Sequence, residues 1–161
     1  MNMTWRWFGH GNDNVKLTDI RQIPGVAGIV WSLHDKVAGD VWPMEEIRQV
    51  TDDIKAQGFH AEVVESVNIH DDIKIGLPSR DHYIDIYIDT IRKLSEVGVK
   101  VICYNFMPVF DWLRTDFYRE LPDTSNAMYY EKALVDVDIE ELTKRILGKA
   151  DSFTLPGWEP E

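Results

Sequence analysis

Apolar residues along this chain follow two rhythms: short continuous runs, and longer stretches in which they recur every third or fourth position. The runs Met3–Phe8, Val26–Leu33, Phe59–Val64 and Val99–Tyr104 are rich in β-branched and aromatic side chains and predict four strands. Helical spacing fills the intervals. A short first helix takes Thr18 as its N-cap, turns Ile20 and Ile23 inward and stops at Pro24-Gly25. Pro43 opens a second, which buries Ile47, Val50 and Ile54 and ends at Gly58. Ser79 caps a third, with a stripe of Ile84, Tyr87, Ile88, Ile91 and Leu94 closed by Gly98. A fourth covers Asp138–Leu147, where Asp138 and Glu141 form a capping-box pattern and Lys144 and Arg145 lie near the end, before Gly148.

Strands alternating with helices predict parallel βαβ units. A dinucleotide-binding sheet is excluded, because Gly9-His10-Gly11-Asn12-Asp13-Asn14 lacks the third glycine of the phosphate turn and opens no helix. The expected fold class is therefore α/β, a (βα)4 unit, half of what a (β/α)8 barrel contains. A whole barrel needs eight strands and about 250 residues. This chain has half of that, and reaches Leu155-Pro-Gly-Trp-Glu-Pro-Glu161 without a fifth strand. The long connection from Asn105 to Val137 exceeds what a passive link needs, so lid or pocket duty is expected of it.

Composition narrows the partners. Lys and Arg number 17 against 28 Asp and Glu, a net charge of -11, and no basic block occurs. Sequence-independent nucleic-acid binding needs such a block and is disfavoured. A small anionic substrate then requires a few cations or a metal ion to reverse the field locally. No apolar run is long enough for a membrane helix and no signal-peptide pattern is read at Met1–Trp7. The single cysteine, Cys103, lies in a predicted strand and reads as a buried structural thiol. A cytoplasmic protein without membrane attachment is expected.

In barrels of this type chemistry collects at the carboxyl ends of the strands. Those ends carry Arg6-Trp7, His34-Asp35, Glu65-Ser66 with Asn68 and His70, and Asn105 followed by Asp111-Trp112 and Arg114. The opposite ends carry the turn residues Gly25, Gly58 and Gly98. The asymmetry suits a polyol or sugar-acid site. Each residue also has an ordinary reading: Arg6 stacked on the tryptophans beside it, His34 a hydrogen-bonded structural residue, Ser66 and Asn68 turn formers, Asp111 paired with Arg114. His70-Asp71-Asp72 reads as a solvated loop or a helix start. No zinc-type spacing, nucleophile elbow or phosphate-binding loop is present, and spacing alone names no reaction.

The strings themselves resemble a known family. Thr4-Trp-Arg-Trp-Phe-Gly9, Arg21-Gln-Ile-Pro-Gly-Val26, Gly28-Ile-Val-Trp31 with Leu33-His-Asp35, Val41-Trp-Pro43, Val63-Val-Glu-Ser-Val-Asn68 with His70, Gly76-Leu-Pro78 with Arg80-Asp81, and Tyr104-Asn-Phe-Met-Pro-Val-Phe-Asp-Trp112 are similar to mannonate dehydratase, over essentially the whole chain. The resemblance implies a xylose-isomerase-like (β/α)8 TIM barrel, of which residues 1–161 are the N-terminal half of a single domain with the C-terminal half absent from this chain. It also implies a hydro-lyase of hexuronate and glucuronate catabolism, which turns D-mannonate into 2-keto-3-deoxy-D-gluconate and water. It implies a manganese or ferrous ion held by two histidines, a cysteine and an aspartate from the second half of the family's chain. No metal ligand is therefore assigned here, Cys103 included, and no catalytic residue is named. By position in the motifs, Arg6, Trp7, His34, Ser66, Asn68, Asn105, Asp111, Trp112 and Arg114 are the substrate-facing residues. A chain of this length is expected to be inactive alone, and to self-associate or pair with its missing half. Two other readings stand beside this one: a sugar isomerase or epimerase of the same barrel superfamily, and a non-catalytic half-barrel that survives by association.

Overall fold

The computed structural model describes residues 2–106, 114–138, 140, 141 and 144. The chain forms two compact units, Met1–Pro108 and Val109–Glu161. In the first, β1 (Met3–Arg6), β2 (Val26–Trp31), β3 (His60–Asn68) and β4 (Val101–Asn105) make one sheet in the order β1-β2-β3-β4. Every neighbouring pair is parallel. Between the strands run α1 (Leu17–Ile20), α2 (Met44–Ala56), α3 (Asp71–Ile75) and α4 (Arg80–Glu96). This is the expected α/β, half-barrel arrangement. Sequential parallel order also brings all four carboxyl ends to the same edge of the sheet.

One face of the sheet is closed by helices. Trp7, Ile29, Trp31, Leu33, Ala61, Val64 and Val67 pack there against Leu17, Ile20, Ile47, Ile54 and Leu94. Trp31, Ile29, Val64, Ile47, Ile54 and Leu94 are fully excluded from water. Burying each large side chain of this kind contributes about 1.5–3 kcal/mol, which makes this layer the main source of stability. The Trp31 indole N–H, which would be costly to bury alone, donates to the Ala61 carbonyl at 3.1 Å. In α2, Glu45 and Glu46 lie in the first turn and Lys55 in the last, matching the helix dipole.

β3 does not run straight. Its pairing with β4 steps from Glu65↔Cys103 to Val67↔Tyr104, so Ser66 is an extra residue in the ladder. The Glu65–Ser66 peptide is cis. A bulge of this kind reverses which face the following residues take. Val67 thereby enters the core, while Asn68 joins Glu65 on the other side of the sheet.

Several local expectations need correction. Lys16, not Thr18, is the N-cap of α1, and the Asp19 carboxylate accepts its backbone N–H at 3.0 Å. Ser79 stands at the cap position of α4 but caps nothing, because its hydroxyl bonds Asp72 instead. The stripe of α4 is narrower than its spacing suggests. Leu94 and Thr90 are buried and Tyr87 packs on the core, whereas Ile84, Ile88 and Ile91 are exposed. β3 extends past Val64 to Asn68. His70-Asp71-Asp72 is a helix start: the His70 Nδ1 accepts the Asp72 N–H at 3.1 Å and caps α3.

The second unit holds a hairpin of β5 (Asp116–Glu120) and β6 (Asn126–Tyr129), antiparallel, followed by α5 (Lys132–Val135). The long connection after β4 thus contains structure of its own. Asp123 organises the hairpin turn, accepting the Ser125 N–H at 3.1 Å and hydroxyl at 2.7 Å. Thr124 there adopts a left-handed φ of 67°. Arg119 lies 3.9 Å over the Tyr129 ring. Beyond α5, Asp138 accepts the Glu141 N–H at 2.9 Å, the expected N-cap; most of that helix lies outside the described residues.

Candidate functional site

The second face of the sheet, opposite the helices, is polar at its carboxyl edge. Arg6 on β1 reaches past β2 to Glu65 on β3, with Nε 3.7 Å from the carboxylate. Its guanidinium donates weakly to the Trp7 and Val30 carbonyls and lies 4.7 Å over the Phe8 ring. Arg6 therefore stacks on Phe8, not on the flanking tryptophans. Partial burial presses its pKa down, while Glu65 and, less strongly, Cys103 push it back up. A half-buried, planar cation at a strand end is suited to a carboxylate.

His34 follows β2 and packs its ring 5.4 Å from Phe8. Its imidazole is pressed below the ordinary histidine range by desolvation first and by the Arg6 charge second, against the pull of Asp35 and Asp13. The neutral form is favoured, so the ring can accept a hydrogen bond. The loop behind it is pinned. Lys36 bonds Asp35 at 2.5 Å and Glu46 at 2.7 Å, tying the end of β2 to the start of α2.

At the ends of β3 and β4 three side chains bond one another. The Ser66 hydroxyl donates to Asn68 Oδ1 at 2.7 Å, and Asn105 Nδ2 donates to Ser66 Oγ at 2.9 Å and to Asn68 Oδ1 at 3.0 Å. Asn68 and Asn105 are direct partners across the ladder. Below them, the buried Ser32 hydroxyl donates to the Ser66 carbonyl at 2.9 Å.

With that geometry in place, comparison with known proteins gives it a family. The chain matches the family model D-mannonate dehydratase (UxuA) over residues 1–161. It belongs to the mannonate dehydratase family. Among curated relatives, a mannonate dehydratase of Shouchella clausii is 59% identical, covered over 100% of this chain and 45% of its own length. One from Bacillus subtilis is 60% identical over the same shares. A crystal structure of mannonate dehydratase from Streptococcus suis serotype 2 is 39% identical, with a TM-score of 0.79 over 96% of this chain and 45% of that one. The chain thus spans about half the length of the mannonate dehydratases it matches.

The residues expected to face substrate divide accordingly. Arg6, His34, Ser66, Asn68 and Asn105 share the carboxyl edge. Trp7 does not line it: the side chain is 2% exposed, lies in the helix-facing core and donates its indole N–H to the Val15 carbonyl at 3.2 Å. Asp111 and Trp112 lie outside the described residues. Arg114 belongs to the second unit.

Two positioning residues escape a reading by motif. Asp13 accepts the Phe8 N–H at 3.0 Å and the Val15 N–H at 2.8 Å, so it shapes the loop after β1. Those two bonds hold its carboxyl below the usual carboxylate range. Gly39, with φ at +93°, sits against the stacked rings of His70 and Tyr83, where a β-carbon would come within 2.7 Å. Asp and Gly at a turn are available signals, but many turns carry them without such contacts. As for the manganese or iron that the resemblance implies, the described residues do not fit it: no group of three His, Cys, Asp or Glu side chains converges among them.

Proposed function

We propose that this chain supplies the N-terminal half of a single-domain barrel with mannonate dehydratase activity, forming one rim of a sugar-acid pocket. The observation that carries the reading is the open carboxyl edge of a mannonate dehydratase family chain, where Arg6 and the Ser66–Asn68–Asn105 cluster lie on one face of one sheet. In the reaction, C2 of D-mannonate loses a proton, the C3–O bond breaks with the oxygen leaving as water, and the resulting enol takes a proton at C3 to become the 2-keto product. This chain's residues bind and orient. Arg6 engages the carboxylate, the Asn68 and Asn105 amides engage hydroxyls, and the neutral-leaning His34 accepts a hydrogen bond from another.

The ligands of the manganese or ferrous ion would come from the second half of the barrel, outside this chain. β1 and β4 are the edges of the described sheet, and unpaired edges favour association with a complementary half or a second copy. One free cysteine suits the cytoplasm.

The test is reconstitution. Purified 1–161 with added manganese is expected to give no dehydration of D-mannonate. Mixing it with the separately expressed remainder of the Bacillus subtilis relative, 60% identical over the shared part, is expected to restore turnover. Turnover by this chain alone contradicts the reading, and conversion of ketoses but not D-mannonate by the mixture points to an isomerase.

A further inference from the structure

We infer that Asn68 and Asn105, locked by Ser66, form a subsite that reads a single hydroxyl group of the ligand. The inference deepens the sugar-acid reading and rests on it for the substrate class, but its chemistry follows from the hydrogen bonds.

An asparagine amide offers two donors and one acceptor atom, and the three-membered cluster consumes a definite part of that supply. Asn68 Oδ1 accepts from both Ser66 and Asn105, and Asn105 Nδ2 donates to both Ser66 and Asn68. Left without a partner among the described residues are the Asn68 NH2 donors and the Asn105 Oδ1 acceptor. Flipping both amides exchanges the two roles and preserves the outcome, one donor beside one acceptor. Asn68 and Asn105 are direct partners across the ladder and bonded to each other, so the unused donor and the unused acceptor belong to adjacent amides.

That pairing selects a ligand group. A hydroxyl accepts and donates at the same atom, and so satisfies both. A carboxylate or carbonyl oxygen meets the acceptor with another acceptor, and an ammonium meets the donor with another donor. The lock is built into the fold: the bulge at Ser66 puts its hydroxyl between the two amides, and the Ser32 hydroxyl fixes the Ser66 carbonyl at 2.9 Å. Ser66 is thus a positioning residue, and its removal frees both amides to rotate without deleting either.

The experiment is a titration of the isotope-labelled chain followed through its side-chain amide NMR signals, with D-mannonate, mannitol and hexanoate as probes. Mannitol has the hydroxyls without the carboxylate, and hexanoate the reverse. D-Mannonate and mannitol are expected to shift the Asn68 and Asn105 NH2 signals saturably, and hexanoate to leave them in place. Ser66→Ala is expected to weaken the mannitol response by about tenfold, and Ser66→Thr, which keeps the hydroxyl, to restore most of it. Asn68→Asp, which replaces the donor with an acceptor, is expected to abolish it while the backbone spectrum stays native.

A mannitol response without mannonate turnover in the reconstituted enzyme upholds the hydroxyl subsite and overturns the dehydratase reading. Turnover with no movement of either amide under mannitol overturns the subsite alone. An equal response to hexanoate, or one that survives Ser66→Ala unchanged, also overturns it.

Discussion

The two faces of the β1–β4 sheet differ in both burial and chemistry. Toward the helices lie indole and aliphatic side chains with no exposure at all, among them Trp31, Ile29 and Val64. On the other side lie Arg6, Glu65, Cys103 and the two asparagines, none of them fully buried, and Val101 at 51% exposure. One face therefore holds the unit together, and the other is left free to carry chemistry. The bulge at Ser66 lets a single strand serve both, since it sends Val67 to the core and Asn68 to the open side.

The largest expected effect separates the faces by stability. Trp31→Ala is expected to cost about 3–5 kcal/mol in urea denaturation, because it empties a core site and strands the Ala61 carbonyl. Val101→Ala on the open face is expected to cost less than about 0.5 kcal/mol. Comparable losses would mean that the second face is packed as tightly as the first.

Much of this division was legible in the sequence. Runs such as Val26–Leu33 and the helical spacing of Ile47, Val50 and Ile54 mark strands and helices because burial demands those periods. The polar strand ends were legible for the same reason. Three features were not. The bulge breaks the two-residue period from inside, so alternation alone puts Ser66 and Asn68 on one face. Trp7 sits beside Arg6 at a polar strand end, yet strand alternation turns it to the core, and a tryptophan there reads equally well as a pocket wall. Ile84, Ile88 and Ile91 have helical spacing but look outward, because periodicity says which residues share a face and not what covers it. The hairpin of β5 and β6 left a faint signal in the Pro122-Asp123-Thr124-Ser125 turn, which a long-loop reading passed over.

The loops at the carboxyl edge draw their order from the helix side. Gly39→Ala forces a left-handed φ and drives a β-carbon into the His70–Tyr83 stack, so it is expected to cost about 1–3 kcal/mol by the same denaturation measurement. No loss of stability would mean that this loop is held from elsewhere.

A smaller effect concerns charge on the open face. The native His34 pKa lies below its unfolded value of 6.5, so the unfolded chain binds this proton first as the pH falls. The His34 contribution is complete above that value, declines as pH drops through it, and levels off once the native imidazole is protonated as well. Arg6→Met removes the second cause of the shift and is expected to raise the native His34 pKa in an NMR titration. An unchanged value would leave desolvation as its sole cause.

The contrast between the faces is tested most directly by the one thiol in the chain, because Cys103 stands on the open side facing Glu65 across the ladder. Its alkylation by iodoacetamide should proceed in the native chain within about tenfold of the rate in urea, since no packed layer among the described residues covers it. A native rate slower by about a thousandfold would show that this face is closed, and would remove the basis for placing a ligand there.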